Sequence, residues 1–117
     1  MDQIKKSDVP VKIASGKMQY SVFGADAYIK SDDASMAYCR FSPEYESMEN
    51  CCRENEVIYV IEAKAAEVIY GESMETMQEK IELKRGMVLR RNKGECCRMH
   101  FNNSEGYVEC ITFCAEP

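Results

Sequence analysis

Short apolar runs recur along the chain at even intervals, and turn residues separate each run from the next. Met36 to Phe41 alternates apolar and polar side chains until Ser42-Pro43 ends the run, since proline cannot donate to a strand ladder. Lys80 to Lys84 alternates in the same way before the Arg85-Gly86 turn. Helix signals are weak, and the best candidate, Ser73 to Lys80, suits a polar turn equally well. The pattern predicts about nine or ten short strands and an all-β sandwich or barrel.

The length and charge of the chain limit its partners. Its 117 residues make one ordinary domain, and its formal charge of -5 argues against nucleic acid or an anionic membrane, which both favour basic surfaces. No apolar run approaches the roughly 18 residues of a membrane span. Residues 1–8 lack the apolar core of a signal peptide. We therefore expect a cytoplasmic protein whose seven cysteines are mainly reduced thiols.

Two segments carry the most specific pattern in the sequence. Residues 56–63 read Glu-Val-Ile-Tyr-Val-Ile-Glu-Ala, and residues 86–97 read Gly-Met-Val-Leu-Arg-Arg-Asn-Lys-Gly-Glu-Cys-Cys. In order and spacing they resemble the two signature segments of the cupin superfamily. Glu56, Gly86 and Gly94 stand where the cupin pattern has a glutamate and two glycines, and Cys97 stands where it has a histidine. The resemblance implies an all-β fold, the double-stranded β-helix or jelly-roll barrel of cupins.

The resemblance also implies a domain organisation. It covers residues 33–114, which we expect to form the barrel of a single domain, 1–117, with residues 1–30 as a β-rich N-terminal arm. A smaller group of cupins, those encoded in ethanolamine-utilisation operons, also lacks the usual histidine pair. This chain resembles them at Ala34–Ala37, in the strand that follows and at residues 54–62.

A metal site is one implication of the cupin pattern. Cupins hold a divalent metal inside the barrel with a histidine pair, the glutamate and a later histidine, and only the glutamate is present here. The residues at the four positions in this chain are Asn50, Cys52, Glu56 and Cys97, or Glu49 and Cys51 in place of the first two if the gap before Glu56 is one residue longer. Two thiolates and a carboxylate suit zinc or iron, with an open position for a water. The alternative is a barrel without any cofactor, because cysteine also behaves as a small buried hydrophobe.

Glu56 needs a role in either case. A carboxylate inside a barrel must be hydrogen-bonded, paired or protonated. Glu56 is therefore a candidate catalytic residue, as a general base or as an acceptor for a substrate hydroxyl. Equally, it could form a structural ion pair with Arg53, Arg90 or Arg98.

Strand alternation assigns the outward-facing residues. His100, the only histidine, is expected on the outer face beside Cys96 and Arg98, opposite to Cys97. A shift of the register by one residue would instead turn Cys96, Arg98 and His100 inward. The strand from Val57 to Ile61 is apolar on both faces, so one face should line the core and the other should pack on a second sheet or a partner subunit. The N-terminal arm also has strand edges that need covering. These features predict a homodimer.

Three functions follow as hypotheses. The leading one is a degenerate cupin that binds a small metabolite inside its barrel, with an accessory or sensor role in catabolism. The second is a metal-dependent enzyme with a cysteine and glutamate site that acts on a small polar substrate. The third is a non-catalytic assembly component whose interior is only core. Because cupins host unrelated chemistries on one fold, the sequence names neither the metabolite nor the reaction.

Overall fold

The computed structural model describes residues 1–45, 50–51 and 55–115, and for Asn50 and Cys51 it describes the backbone. Within these residues the chain forms eleven strands and two short 3-10 helices, Lys6–Asp8 and Met74–Thr76. The strands are β1 (Val11–Ala14), β2 (Lys17–Gly24), β3 (Ile29–Lys30), β4 (Ala34–Phe41), β5 (Asn50–Cys51), β6 (Glu56–Lys64), β7 (Ala66–Gly71), β8 (Glu79–Glu82), β9 (Val88–Arg91), β10 (Cys96–Phe101) and β11 (Tyr107–Ala115).

The strands form two sheets. The larger sheet has the order β1-β2-β4-β11-β6-β9, with β3 beside β2, and the smaller sheet has the order β5-β10-β7-β8. All neighbours are antiparallel except β2 and β3. The last strand, β11, lies between β4 and β6, so strands distant in sequence are joined by hydrogen bonds. The predicted fold class, an all-β jelly-roll barrel, is confirmed.

The core lies between the two sheets. Val60 of β6 and Val108 of β11 are 0% and 1% exposed, and Leu83, which follows β8, covers them from the other sheet. Strand alternation explains this burial, because every second side chain of a strand points to the same face. The remaining buried members of the cluster are Ala37, Cys39, Ala66 and Cys110.

The N-terminal residues extend the larger sheet. β2 pairs with β4 along almost its whole length, and β1 pairs with β2 at the edge of the sheet. The ammonium group of Lys6 lies over the rings of Tyr20 and Tyr38, 4.7 and 3.6 Å from their centroids. Val9 is 5% exposed. The segment that precedes β1 is thus fixed to the sheet by one buried side chain and by cation–π contacts.

The candidate helix at residues 73–80 is a turn followed by a strand. Ser73 and Thr76 cap the 3-10 helix Met74–Thr76 through reciprocal side-chain and backbone hydrogen bonds, and β8 begins at Glu79. No helix in the described residues is long and apolar enough to cross a membrane.

Candidate functional site

A cavity of about 310 Å³ lies between the two sheets. Apolar surface makes up the larger part of its wall, because the inward-facing positions of β6, β7 and β11 carry Ile58, Val60, Val68 and Val108. Polar and charged groups from both sheets and from the segment after β4 interrupt this wall. These groups belong to Lys17, Gln19, Tyr45, Glu56, Arg91, Arg98 and Thr112, and three cysteines, Cys39, Cys97 and Cys110, also line the cavity.

Glu56 is the first residue of β6 and faces the cavity together with Ile58 and Val60. Val57 and Tyr59 alternate with them and are 38% and 45% exposed on the outer face. The side chain of Glu56 is 18% exposed, so the carboxylate lies where solvent still reaches the cavity.

Arg91 and Cys114 hold the Glu56 carboxylate from two sides. Arg91 Nη1 donates to Oε1 at 3.4 Å, and Cys114 Sγ donates to Oε2 at 3.4 Å. The sheet register explains both contacts, because Glu56 pairs with Arg91 of β9 and with Cys114 of β11. Arg91 Nη2 also donates to the backbone oxygen of Glu95 at 3.3 Å, which fixes the guanidinium.

The ion-pair partner of Glu56 therefore differs from the sequence expectation. Arg90 is exposed, because it alternates with Arg91 along β9 and points away from the cavity. Arg98 lines the cavity, but Arg91 makes the ion pair. Arg53 lies outside the described residues. Neighbouring residues of a strand point to opposite faces, so Arg90 and Arg91 exchange places if the register of β9 shifts by one residue. The sequence alone does not determine the register of β9.

Cys39 and Cys110 lie directly opposite each other on β4 and β11, and they are 3% and 2% exposed. Burial raises the pKa of both thiols, and that of Cys110 reaches about 12. The Glu56 carboxylate raises both pKa values further, whereas the Lys17 ammonium opposes the increase. At neutral pH both side chains are protonated thiols and pack as small apolar groups.

Lys17 is a site residue that the sequence analysis missed. It begins β2 and lines the cavity, with its ammonium 5.6 Å from the centroid of the Phe41 ring. None of the ion pairs among the described residues includes Lys17. Lys17 and Gln19 are two residues apart, so strand alternation places both side chains on one face of β2. The sequence does not show whether this face points inward, because that depends on the pairing of β2 with β4.

The predicted metal ligands are only partly described. Cys97, which is a reduced thiol, and Glu56 both line the cavity. Cys52 and the side chain of Asn50 lie outside the described residues. Across the described ranges, no group of three His, Cys, Asp or Glu side chains could hold a metal ion. The Arg91 guanidinium at 3.4 Å from Glu56 also places a positive charge where a cation would bind. The described residues alone do not form a metal site, and the predicted ligand set of Cys52, Glu56 and Cys97, with Asn50 as a possible fourth position, stays a prediction.

The position of His100 and the state of the cysteines were also predicted from the sequence. His100 is exposed, as predicted, and its Nδ1 lies 3.0 Å from Glu67 Oε1. Arg98 and Cys96, which were expected on the same outer face, differ: Arg98 lines the cavity and Cys96 is buried. Cys39, Cys110 and Cys114 are reduced, like Cys97. Cys96 is disulfide-bonded, so the expectation of reduced thiols does not hold for it. It is 1% exposed, and its backbone stands opposite that of Cys51 in the register of β10 and β5.

Comparison with known proteins gives structural neighbours only. No protein-family profile matches the sequence, and no curated protein matches it. Hydroxypropylphosphonic acid epoxidase from S. wedmorenis superimposes with a TM-score of 0.74 at 12% identity, covering 97% of this chain and 59% of the epoxidase. The polyketide cyclase RemF from Streptomyces resistomycificus gives 0.74 at 15% identity, covering 98% of this chain and 79% of the cyclase. The Cnp3 cupin domain of Schizosaccharomyces pombe gives 0.68 at 10% identity, covering 97% and 74%.

These likenesses establish the fold. The chain has the jelly-roll barrel of cupins, as its two signature-like segments indicate, and it spans about three fifths of the epoxidase. The narrower likeness to the cupins of ethanolamine-utilisation operons stays a prediction.

Proposed function

We propose that this protein binds a small metabolite inside its barrel, in an accessory or sensor role in catabolism. The cavity between the sheets is the observation that carries the proposal. A wall whose larger part is apolar, with polar groups converging on it, is the usual composition of a small-molecule site. Its volume of about 310 Å³ is near the lower end of the range for ligand pockets, which favours a small ligand.

Glu56 is the residue that we assign to a hydrogen-bond donor of the ligand. Its carboxylate lies at the cavity wall, and Arg91 and Cys114 fix both of its oxygens in place. A carboxylate held in this way can accept a hydrogen bond from a ligand hydroxyl or amine without reorganising first. The same position would allow Glu56 to act as a general base, and this remains the catalytic alternative.

The two competing functions have less support. An assembly component with a solidly filled barrel would leave no cavity beside Glu56. A metal-dependent enzyme would need ligands at Glu56, where Arg91 already supplies the positive charge. The ligand proposal needs neither a filled barrel nor a metal.

A thermal-shift screen of small metabolites, followed by calorimetric titration of each hit, tests the proposal. Cys110→Leu adds volume at the cavity wall and should weaken binding at least about tenfold, because the ligand and the larger side chain compete for one space. Thr112→Leu is a second filling variant in case Cys110→Leu fails to fold, and Ser104→Leu, in an exposed turn, is the control. Unchanged binding in a folded filling variant would contradict the proposal, and binding that requires added zinc or iron would favour the metal-dependent enzyme.

A further inference from the structure

Among the described residues, the groups that line the cavity carry a net charge opposite in sign to that of the whole chain. Three cations, Lys17, Arg91 and Arg98, and one carboxylate, Glu56, line the cavity among the described residues. The chain as a whole carries a formal charge of -5. A cationic concave site attracts and concentrates anionic ligands, even when the protein as a whole is negatively charged.

The cations differ in how far they are already engaged. Arg91 is held by the Glu56 carboxylate and by the Glu95 backbone oxygen. Lys17 has no such carboxylate within salt-bridge distance among the described residues. Its described contact is the cation–π contact with Phe41. An ammonium group at a partly apolar wall is stabilised when an anion joins it.

The Lys17 ammonium also lies close to the inner surface of the barrel. Its charge acts on the pKa of Cys39 and of Cys110, the two buried thiols at the centre of the larger sheet. Phe41 packs against the core cluster of which Cys39 and Cys110 are members. An anionic group at Lys17 would therefore place the rest of its molecule against the apolar wall.

We propose that the ligand is a small organic carboxylate with an apolar body, and that its carboxylate binds the Lys17 ammonium. The inference rests on the proposed function and adds the chemical class of the ligand. The Lys17 ammonium is one compact, strongly hydrated charge, and it has no paired carboxylate among the described residues, so it matches one carboxylate group of a ligand. Ile58, Val68 and Met99 then contact the apolar body of the ligand.

The test compares benzoate with its neutral isostere benzamide, and hexanoate with hexanamide. Titration of the isotope-labelled protein, followed by amide nuclear magnetic resonance, detects binding even at millimolar dissociation constants and shows which residues are affected. We expect each carboxylate to shift the amide signals of β2 and β4 and to bind at least about tenfold more tightly than its amide, because hydrogen bonds to charged groups are the stronger ones.

Matched variants assign the effect to Lys17. Lys17→Gln should weaken benzoate binding about tenfold or more and leave benzamide within about twofold, whereas Lys17→Arg should keep the preference for the carboxylate. Lys12→Gln removes the same charge from an exposed position of β1 and should change neither affinity.

The outcomes separate this inference from the proposed function. Amides that bind at the cavity as tightly as the carboxylates would overturn the carboxylate assignment, while the barrel would still be a binding site. Carboxylates that shift only signals outside the cavity, or none, would overturn the assignment as well. The proposed function would then be decided by the metabolite screen and its filling variants.

Discussion

The ion pair between Glu56 and Arg91 joins two side chains that are only 18% and 14% exposed. Replacing Glu56 by Gln removes the negative charge next to a guanidinium that is largely withdrawn from water. We expect the free energy of unfolding to fall by about 1–3 kcal/mol, less than for a fully buried pair because solvent still reaches both groups. Urea unfolding followed by circular dichroism measures the change.

Glu62→Gln is the matched control for this prediction. Glu62 pairs with Arg85 at 3.6 Å, and the Arg85 side chain is 80% exposed. An exposed pair of this kind contributes about 0–1 kcal/mol, so the control should change stability little. In the double variant Glu56→Gln with Arg91→Met, part of the lost stability should return. Equal effects of Glu56→Gln and Glu62→Gln would show that the cavity pair has no special role.

The buried thiol of Cys110 makes stability depend on alkaline pH. Its pKa is raised from 9.0 to about 12 by burial, so the folded protein keeps a proton that the unfolded chain loses from about pH 9 upwards. Because the unfolded state then binds fewer protons, stability falls with rising pH between about 9 and 12, by up to about 1.4 kcal/mol per pH unit.

Below pH 9 both states are protonated, and Cys110 adds no dependence on pH. Urea unfolding over a series from about pH 8 to about pH 10.5 measures the slope. Cys110→Val, which has a similar volume and no proton to lose, should flatten it, and the raised pKa of Cys39 should leave a residual slope. Identical slopes for the two proteins would contradict the assignment.

At the scale of the elements, the turns before β9 and β10 depend on two glycines. Gly86 has φ +83° and Gly94 has φ +92°. Apart from the two chain neighbours, no heavy atom of the described residues lies within 4 Å of the position that a Cβ would take at either glycine. Alanine at these positions should therefore cost only the backbone strain, about 1–2 kcal/mol each.

Gly71, at the end of β7, gives the contrasting case. A Cβ there would lie 2.3 Å from the backbone oxygen of Thr76, so Gly71→Ala must also displace the 3-10 helix that follows. Thermal unfolding of the three alanine variants should show the largest loss for Gly71. If Gly86→Ala and Gly94→Ala were neutral, the positive φ values would not be required in solution.

The sequence predicted strands better than it predicted contacts. The alternating runs correspond to β4, β8 and most of the other strands, because a strand pattern is local and has a period of two. The two-residue strand β5 was not predicted, because so short a segment pairs with β10 without any pattern of its own. Gly86 and Gly94 were predictable because a tight turn requires a particular residue type.

The site was less predictable, because its members meet through pairings between distant strands. Glu56 and Cys97 were identified from motif spacing, and both line the cavity. Arg91 was not identified as the partner of Glu56, because that contact depends on the register of β9 against β6. Lys17 was not identified as a site residue, because its position depends on the pairing of β2 with β4. Such registers are set by long-range packing, and a shift of one residue would turn either side chain away from the cavity.

At the scale of the whole molecule, the outer face of the larger sheet carries an apolar patch, which we define as Val57, Tyr59, Val88 and Phe113. Their exposed fractions are 38%, 45%, 62% and 39%. The patch is continuous, because Val57 stands opposite Phe113 on β11 and Tyr59 stands opposite Val88 on β9. Exposed apolar side chains that cluster in this way are typical of surfaces covered in an assembly.

We expect this patch to join two copies of the chain as a homodimer, since a two-fold axis can bring one patch against its own copy. Tyr59→Glu should raise the dimer dissociation constant about tenfold or more, because it removes a large aromatic contact and adds a charge at the interface. Tyr28→Glu, at a side chain that is 61% exposed and lies outside the patch, is the control. Sedimentation equilibrium over a range of concentrations measures both variants. A wild-type chain that stays monomeric at every concentration, or a dimer that Tyr59→Glu leaves intact, would mean that the patch does not form the interface.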